Sequence, residues 1–152
     1  MQQFLESWFA ECSDGKAPAL ESVSMDTRAY WHAVLAQCKA GMLDSWQKTP
    51  PGRLALIILM GQLANLLEDS DCYKLNQKAK RLCLYGVEQG FDTQLDVMQR
   101  RYFYEPLFAS SEAKDRDLLQ RLLSGMRALA AEESLNTWQG WYHQARMSSI
   151  HA

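Results

Sequence analysis

Proline and glycine are scarce in this sequence, with four and eight residues out of 152. Such low contents exclude collagen-like and other low-complexity chains, which are rich in one or both. Charged residues make up 22% and hydrophobic residues 47%, a balance that also excludes intrinsic disorder. A chain of this length builds one core more readily than two, so we expect a single domain over residues 1–152.

Long apolar runs are missing as well. The longest, Leu54 to Met60, is far shorter than the roughly 20 residues that cross a bilayer as a helix, so no membrane partner is predicted. Glu6 stands where a secretion signal would be apolar, which favours a cytoplasmic location. Positive charge is not in excess either, since 16 Lys and Arg face 18 Asp and Glu and the net charge is -2. Nucleic acid is therefore not an expected partner.

The sequence also lacks spacings typical of disulfide frameworks and metal sites. Its four cysteines are far apart, with no Cys-x-x-Cys pair: Cys12, Cys38, Cys72 and Cys83. We interpret them as reduced core residues. The three histidines, His32, His143 and His151, have no second ligand one helical turn away. We therefore assign no metal, no cofactor and no catalytic residue, and an enzyme is the less favoured interpretation.

What the sequence does contain is apolar residues at helical spacing. The pattern predicts about seven helices, near residues 3–12, 26–40, 52–67, 73–89, 93–104, 111–129 and 134–147. No segment alternates as a strand does, so the fold class is all-α. The helix that begins at Pro51-Gly52-Arg53 is apolar on every side from Leu54 to Met60. A helix of this kind must be covered all round, so it is predicted to be the buried centre of the fold.

Successive helix starts lie about 20 residues apart, so that each helical hairpin spans about 40 residues, near the period of helical-repeat proteins. This spacing favours stacked antiparallel helical hairpins, an α-α superhelix, over a simple bundle. The repeat consensus itself is missing, so both arrangements stay open at this point.

Two charged segments each have two interpretations. Glu68, Asp69 and Asp71 are expected to cap the following helix rather than to bind calcium, because a calcium loop also needs a glycine and a terminal glutamate. The following helix carries a basic stripe, which comprises Lys74, Lys78 and Arg81 with Lys80 beside it. The stripe is expected to be a solvated helix face, with attraction of an acidic peptide or a phosphate as the alternative.

Aromatic residues crowd two short segments. One holds Tyr102, Phe103, Tyr104 and Phe108 behind Arg100-Arg101, and the other holds Trp138, Trp141 and Tyr142. Core packing is the first interpretation of both clusters. The alternative is an interface, since Trp, Tyr and Arg dominate binding hot spots. In that case the second cluster would be the contact face of a homodimer.

A longer motif resembles a known family. The motif is Gly41-x-Leu43-x-x-Trp46-x-x-x-Pro50-x-Gly52-x-Leu54-Ala55-Leu56-Ile57-Ile58-Leu59, and it is similar to the core of the bacterial family catalogued as domain of unknown function 924. The resemblance covers the chain to about residue 129 and leaves helix 134–147 as a divergent end. It implies a tetratricopeptide-like superhelix in a cytoplasmic protein of unestablished role.

The sequence departs from that family just after the apolar run. The family typically continues Asp-Gln-Phe-Pro-Arg-Asn, whereas this chain reads Gly61-Gln62-Leu63-Ala64-Asn65-Leu66 and so lacks the acid, the base and the second amide. The resemblance transfers only three possible site residues: Gln62, Ser110 and Asp115.

These observations lead to one main hypothesis and two alternatives. The main hypothesis is a non-enzymatic module that binds a protein or peptide on a concave surface. The residues assigned to this surface are Gln62, Arg101, Tyr102, Tyr104, Ser110 and Asp115. The first alternative is a small-molecule binder or enzyme with a pocket beside the central helix at Gly61 and Gln62, where glycine leaves room for a ligand. The second is a structural homo-oligomer held by Trp138, Trp141 and Tyr142.

Overall fold

The computed structural model describes residues 1–13, 15–127 and 135–151. Over these residues the regular structure is helical, apart from one isolated bridge between Ser13 and Lys16, and the prediction of an all-α fold is confirmed. None of the described helices combines the length and apolar character that crossing a bilayer requires. The stacking of hairpins into a tetratricopeptide-like superhelix stays a prediction.

The residues group into two compact units, Met1–Phe103 and Tyr104–Ala152. The first unit contains α1 (Gln2–Glu11), α2 (Met25–Lys39), α3 (Pro50–Ile58), α4 (Ala64–Leu66), α5 (Cys72–Glu88) and α6 (Val97–Phe103). The second contains α7 (Glu105–Phe108), α8 (Ala113–Met126) and α9 (Leu135–His151). Short 3-10 turns connect several of these helices, including Asp44–Lys48 before α3 and Asp92–Gln94 before α6.

Helix α3 is the centre of the first unit. It packs against α5, α6 and the 3-10 turn Asp44–Lys48, and every residue from Gly52 to Met60 is buried. The predicted central helix is thus confirmed, and it begins at Pro50 because the Thr49 side chain accepts a hydrogen bond from the backbone N–H of Gly52 at 3.2 Å. Gly52 is required here, since a Cβ atom would collide with the carbonyl oxygen of Trp46.

After Ile58 the central helix widens into a π turn, Leu59–Leu63, before it returns to α-helix at Ala64. The sequence pattern predicts one continuous α-helix and gives no sign of this turn. A π turn inserts one extra residue and rotates the side chains that follow, and such turns recur at functional sites. Gly61 and Gln62 both lie in it.

The acidic segment after α4 does not cap α5 through a side chain, and this part of the prediction is wrong. Asp71 occupies the N-cap position without a side-chain cap hydrogen bond. Asp69 instead accepts from the backbone N–H of Asp71 at 2.9 Å, and both carboxylates lie 3.0 Å from the Lys39 ammonium. The segment therefore connects α2 to the start of α5.

Helix α6 begins at Val97, four residues later than predicted, because Asp96 and Gln99 form a capping box. The Gln99 backbone N–H donates to Asp96 Oδ1 at 2.7 Å, and the Asp96 backbone N–H donates to Gln99 Oε1 at 3.0 Å. Each residue satisfies an orphan donor of the other. Helix α6 then buries four consecutive residues, from Arg100 to Phe103.

In the second unit, α8 packs against α7 and α9. Trp138 of α9 donates from Nε1 to the Leu123 carbonyl of α8 at 2.8 Å. This buried hydrogen bond links the two helices where their side chains pack together. Helix α8 ends at Met126 and α9 begins at Leu135. The predicted extension of α8 to Leu129 and the start of α9 at Ser134 lie outside the described residues.

Candidate binding site

The six residues predicted to form a binding surface fall into both units. Gln62, Arg101 and Tyr102 belong to Met1–Phe103, and the others belong to Tyr104–Ala152. Ser110 and Asp115 are in direct contact: the Ser110 hydroxyl donates to Asp115 Oδ2 at 2.6 Å, and the Glu112 backbone N–H donates to the Ser110 oxygen at 3.1 Å. Asp115 is buried in the first turn of α8, where a carboxylate is favoured by the helix dipole. The pair therefore orders the start of α8.

Tyr102 and Tyr104 are core residues in this structure, each 1% exposed. The Tyr102 ring meets Phe9 edge-on, with 5.1 Å between the ring centroids, and its hydroxyl donates to the Lys16 carbonyl at 3.3 Å. Burial raises the pKa of Tyr102, and its hydrogen bond with Cys12 raises it further. Both rings therefore pack in the core, which is the first interpretation of this cluster, and neither ring is exposed to a partner.

Arg101 is also buried, at 6% exposure. A Cβ atom on Gly15 would come within 2.5 Å of its Cγ, and Gly15 has a φ of +82°. Glycine is therefore required at position 15 by both space and backbone conformation. Arg101 therefore packs directly on the loop after α1.

The tryptophan cluster of α9 is packed inside the second unit. Trp138 and Trp141 are 5% and 6% exposed, and the Trp138 ring stacks on Tyr142 with centroids 5.3 Å apart. The predicted homodimer face is thus not an exposed tryptophan surface in this structure, because these rings already fill the contact between α8 and α9.

Gln62 is half-buried in the π turn. Its Oε1 atom is buried without a hydrogen-bond partner among the described residues, as is Oδ1 of Asn76. A Cβ atom at Gly61 would contact the Ala79 methyl group at 3.8 Å, an ordinary van der Waals distance. Gln62 thus carries an unused acceptor, and a separate opening lies beside the central helix.

That opening is a groove of about 780 Å³, which we call the α3–α5 groove. Its walls come from the 3-10 turn Asp44–Lys48, from α3 and the π turn, from α5 and from Phe91, all within the first unit. Its apolar lining consists of Leu56, Met60 and Leu82, with the rings of Tyr85 and Phe91. Tyr85 is 53% exposed. A groove of this volume is in the range that buries drug-sized molecules.

The charges around the α3–α5 groove are unbalanced. Four of the described lining residues are cations and one is an acid: Lys48, Arg53, Lys78 and Arg81 against Asp44. Lys78 and Arg81 belong to the basic stripe, so the structure places part of that stripe at the groove, and Lys74 does not line it. A groove of this composition attracts negative charge.

Arg53 is the most constrained of these cations. It is 5% exposed. The side chain donates hydrogen bonds from Nε to the Gln47 carbonyl and from Nη1 to the Leu82 carbonyl, both at 3.1 Å. Its guanidinium carbon lies 5.2 Å from the Tyr85 ring centroid and 5.0 Å from that of Phe91. Burial lowers the pKa of Arg53, partly offset by Tyr85. No carboxylate among the described residues forms an ion pair with it.

The sequence pattern places Arg53 at the start of the central helix and indicates no role for it. One signal was present, namely a single cation directly before a run of residues predicted to be buried on every side, where an unpaired charge is costly. Tyr85 and Phe91 gave no such signal, because only the fold brings them to Arg53 from 32 and 38 positions along the chain.

Among the described residues, no group of three or more His, Cys, Asp or Glu side chains is arranged to hold a metal ion. The four cysteines are free thiols. Cys38 and Cys83 are buried as predicted, whereas Cys12 and Cys72 are only half-buried, so the prediction of core positions is wrong for these two. His32 lines a separate, smaller cavity together with Lys39 and Asp69, and it does not line the α3–α5 groove.

Comparison with known proteins identifies both a family and a fold. The model of a family described as "Bacterial protein of unknown function (DUF924)" matches residues 2–151. The match therefore extends past residue 129, where the recognisable motifs end. No curated protein is significantly similar in sequence.

A solved structure also resembles this chain. It is that of a protein of unknown function, ATU0120, from Agrobacterium tumefaciens, with a TM-score of 0.73 and 15% sequence identity. The similarity covers 97% of this chain and 79% of the other. At this identity the likeness shows the fold alone.

Proposed function

Since the chain belongs to DUF924, a family of bacterial proteins of unknown function, we propose from its own residues that it is a non-catalytic module that binds a peptide segment of a partner protein in the α3–α5 groove. The observation that carries the proposal is the groove itself, whose lining combines apolar residues with four cations. Clefts of this kind hold extended or helical segments of other proteins. The proposal requires no cofactor and places the protein in the cytoplasm, in keeping with its free cysteines.

The lining of the groove supports a protein ligand in two ways. Tyr85 is a large aromatic residue that is 53% exposed, and aromatic residues of this kind dominate the binding energy of protein interfaces. The wall formed by α3 is rigid, because the opposite sides of that helix are buried against α6 and its other neighbours. A rigid wall limits the ordering cost of binding to the incoming segment.

Site-specific photocrosslinking tests the proposal. The photoreactive residue benzoylphenylalanine replaces Tyr85 in one variant and Tyr73 in a matched control. Both tyrosines are exposed on α5, but only Tyr85 lines the groove. After irradiation in a bacterial lysate, the crosslinked segment is identified by mass spectrometry, synthesised, and titrated against the purified protein by fluorescence anisotropy.

We expect adducts that form at position 85 and not at position 73, and a synthetic segment that binds the wild-type protein. Equal adducts at the two positions, no adduct at position 85, or a synthetic segment that does not bind would each contradict a peptide-binding groove.

A small-molecule ligand is the second candidate, and the unused acceptor of Gln62 in the π turn favours it. A ligand that donates a hydrogen bond to Oε1 would supply the missing partner. A thermal-shift screen of metabolites tests this candidate, because a ligand that binds only the folded state raises the melting temperature. The candidate requires a rise that is lost in Gln62→Leu, and a rise that the variant retains would contradict it.

A further inference from the structure

The α3–α5 groove carries a charge opposite to that of the chain as a whole. The protein has a net charge of -2, yet four cations and one acid line the groove among the described residues. Lys78 and Arg81 lie three residues apart on α5 and therefore on one face of the helix. The positive groove is thus a local property of the fold, and it selects for a ligand with negative charge.

Arg53 is the buried cation of this positively charged lining. A buried guanidinium is stable only when its charge and its N–H groups find partners. Two of its five N–H groups donate to backbone carbonyls, and the rings of Tyr85 and Phe91 attract the cation without accepting a conventional hydrogen bond. The part of the chain that the structure describes provides no carboxylate for it. A ligand carboxylate would supply the missing counter-charge.

Gly86 supports the same function by making room for this arginine. A Cβ atom at position 86 would lie 2.8 Å from Arg53 Cδ and 2.6 Å from Phe103 Cζ. The arginine stem is therefore held between α3 and the backbone of α5, with its charged end among the groove lining. A charge held in place in this way needs little reorganisation to receive a ligand.

We infer that the occupant of the groove is an acidic peptide segment, with one side-chain carboxylate on Arg53, further acidic residues facing Lys78 and Arg81, and an apolar side chain against Leu82 and the exposed ring of Tyr85. This inference rests on the proposed function and names the class of its ligand. Charge complementarity identifies the acidic residues, and the apolar lining with the volume of about 780 Å³ identifies a ligand larger than a single small anion.

Selection from a displayed library of short random peptides tests the inference. The wild-type protein is expected to enrich sequences rich in Asp and Glu that also hold a Leu, Ile, Val or Phe. One enriched peptide is then compared with its counterpart in which every Glu and Asp is replaced by Gln and Asn. We expect the amide counterpart to bind about tenfold more weakly or worse, a loss that corresponds to about 1.4 kcal/mol. The affinity of the acidic peptide should also weaken as salt is added.

Three variants assign the effect to the groove. Lys78→Gln and Arg81→Gln are each expected to weaken binding about three- to tenfold, whereas Lys74→Gln, the same charge change on α5 outside the groove, should leave it unchanged. Asp44→Asn removes the acid of the lining and is expected to strengthen binding about two- to threefold. A gain of affinity cannot arise from a damaged fold.

Contact between the peptide and Arg53 is measured by NMR, without replacing this buried residue. The Nε–H resonance of Arg53 in the wild-type protein should shift when the acidic peptide is added and should not shift with its amide counterpart. Inorganic phosphate serves as a competitor. Displacement of the peptide by phosphate at equal concentration would overturn a peptide ligand in favour of a free anion.

The outcomes separate the two proposals. Enriched peptides with no excess of Asp and Glu would overturn the acidic ligand and leave peptide binding standing. A selection that enriches no peptide, together with no adduct at position 85, would overturn both. Equal affinities for Lys74→Gln, Lys78→Gln and Arg81→Gln would show that the charges lining the groove do not take part.

Discussion

Gly86 is a single residue on which both the core and the groove depend. It lies on α5 where the Phe103 ring and the Arg53 stem approach the helix backbone, and a Cβ atom would be 2.6 Å from Phe103 Cζ. Phe103 is fully buried and Arg53 is held by two backbone carbonyls. Neither neighbour is free to move away, so the site requires glycine for reasons of space rather than of backbone conformation.

We predict that Gly86→Ala lowers the free energy of unfolding by about 1–3 kcal/mol, the usual cost of overpacking a core. Urea denaturation measures the change. Gly125→Ala is the matched control, because Gly125 lies in α8 and a Cβ there meets no described atom within 4 Å. The control should be neutral or stabilising by up to about 1 kcal/mol. Equal effects of the two substitutions would contradict the steric explanation.

At the scale of helices, α6 depends on its first turn. The helix is only seven residues long, and short helices have little stability of their own. Its side chains nevertheless fill the core with Tyr102 and Phe103 and fix the preceding loop, since Arg100 donates to the carbonyls of Leu95 and Thr93. The capping box of Asp96 and Gln99 sets where this helix starts.

We therefore expect Asp96→Ala to destabilise the protein by about 0.5–2 kcal/mol, the measured range for lost helix caps. Asp96→Ser should retain most of the stability, because serine also accepts a hydrogen bond at this position. Chemical denaturation of both variants gives the comparison. Loss of the same size in Asp96→Ser would mean that the carboxylate acts through another contact and not as a cap.

The positions of the helices could be predicted from sequence because each one carries its own periodic pattern and end signals. Pro50 and Gly52 mark the start of α3 in the sequence. Asp96 and Gln99 mark the start of α6, although the apolar pattern alone predicts a start four residues earlier. The π turn at Leu59–Leu63 was not predictable, because its residues keep a continuous apolar pattern. The α3–α5 groove was equally out of reach, since its lining comes from segments that only tertiary packing brings together.

At the scale of the whole molecule, ionisable groups in the core and at helix junctions set the pH range in which the protein is stable. Burial raises the pKa of Cys12 to about 11 and that of Cys38 to about 11, with nearby acids contributing in both cases. Burial also acts on Asp69, but its hydrogen bonds from the Asp71 backbone and from Lys39 outweigh burial and lower its pKa below the ordinary 3.8. Stability should therefore be lost on both sides of neutrality.

The sign of each loss follows from the direction of the shift. Above pH 9 the thiols ionise first in the unfolded chain, so the free energy of unfolding falls as pH rises toward 11. Below about pH 4 the Asp69 carboxyl takes up a proton first in the unfolded chain, so stability falls as pH drops through its lowered folded value. Between these limits stability should be nearly constant.

Urea titrations followed by tryptophan fluorescence across this pH range measure both losses, and two variants control for each other. Cys38→Ala should reduce the alkaline loss and leave the acidic one unchanged, because alanine has no proton to release. Asp69→Asn should reduce the acidic loss and leave most of the alkaline one, because asparagine cannot be protonated in this range. The neutral stability of both variants falls, since one leaves a cavity and the other removes an ion pair. The test therefore depends on the slopes with pH, and slopes that match the wild type in both variants would contradict the assignment.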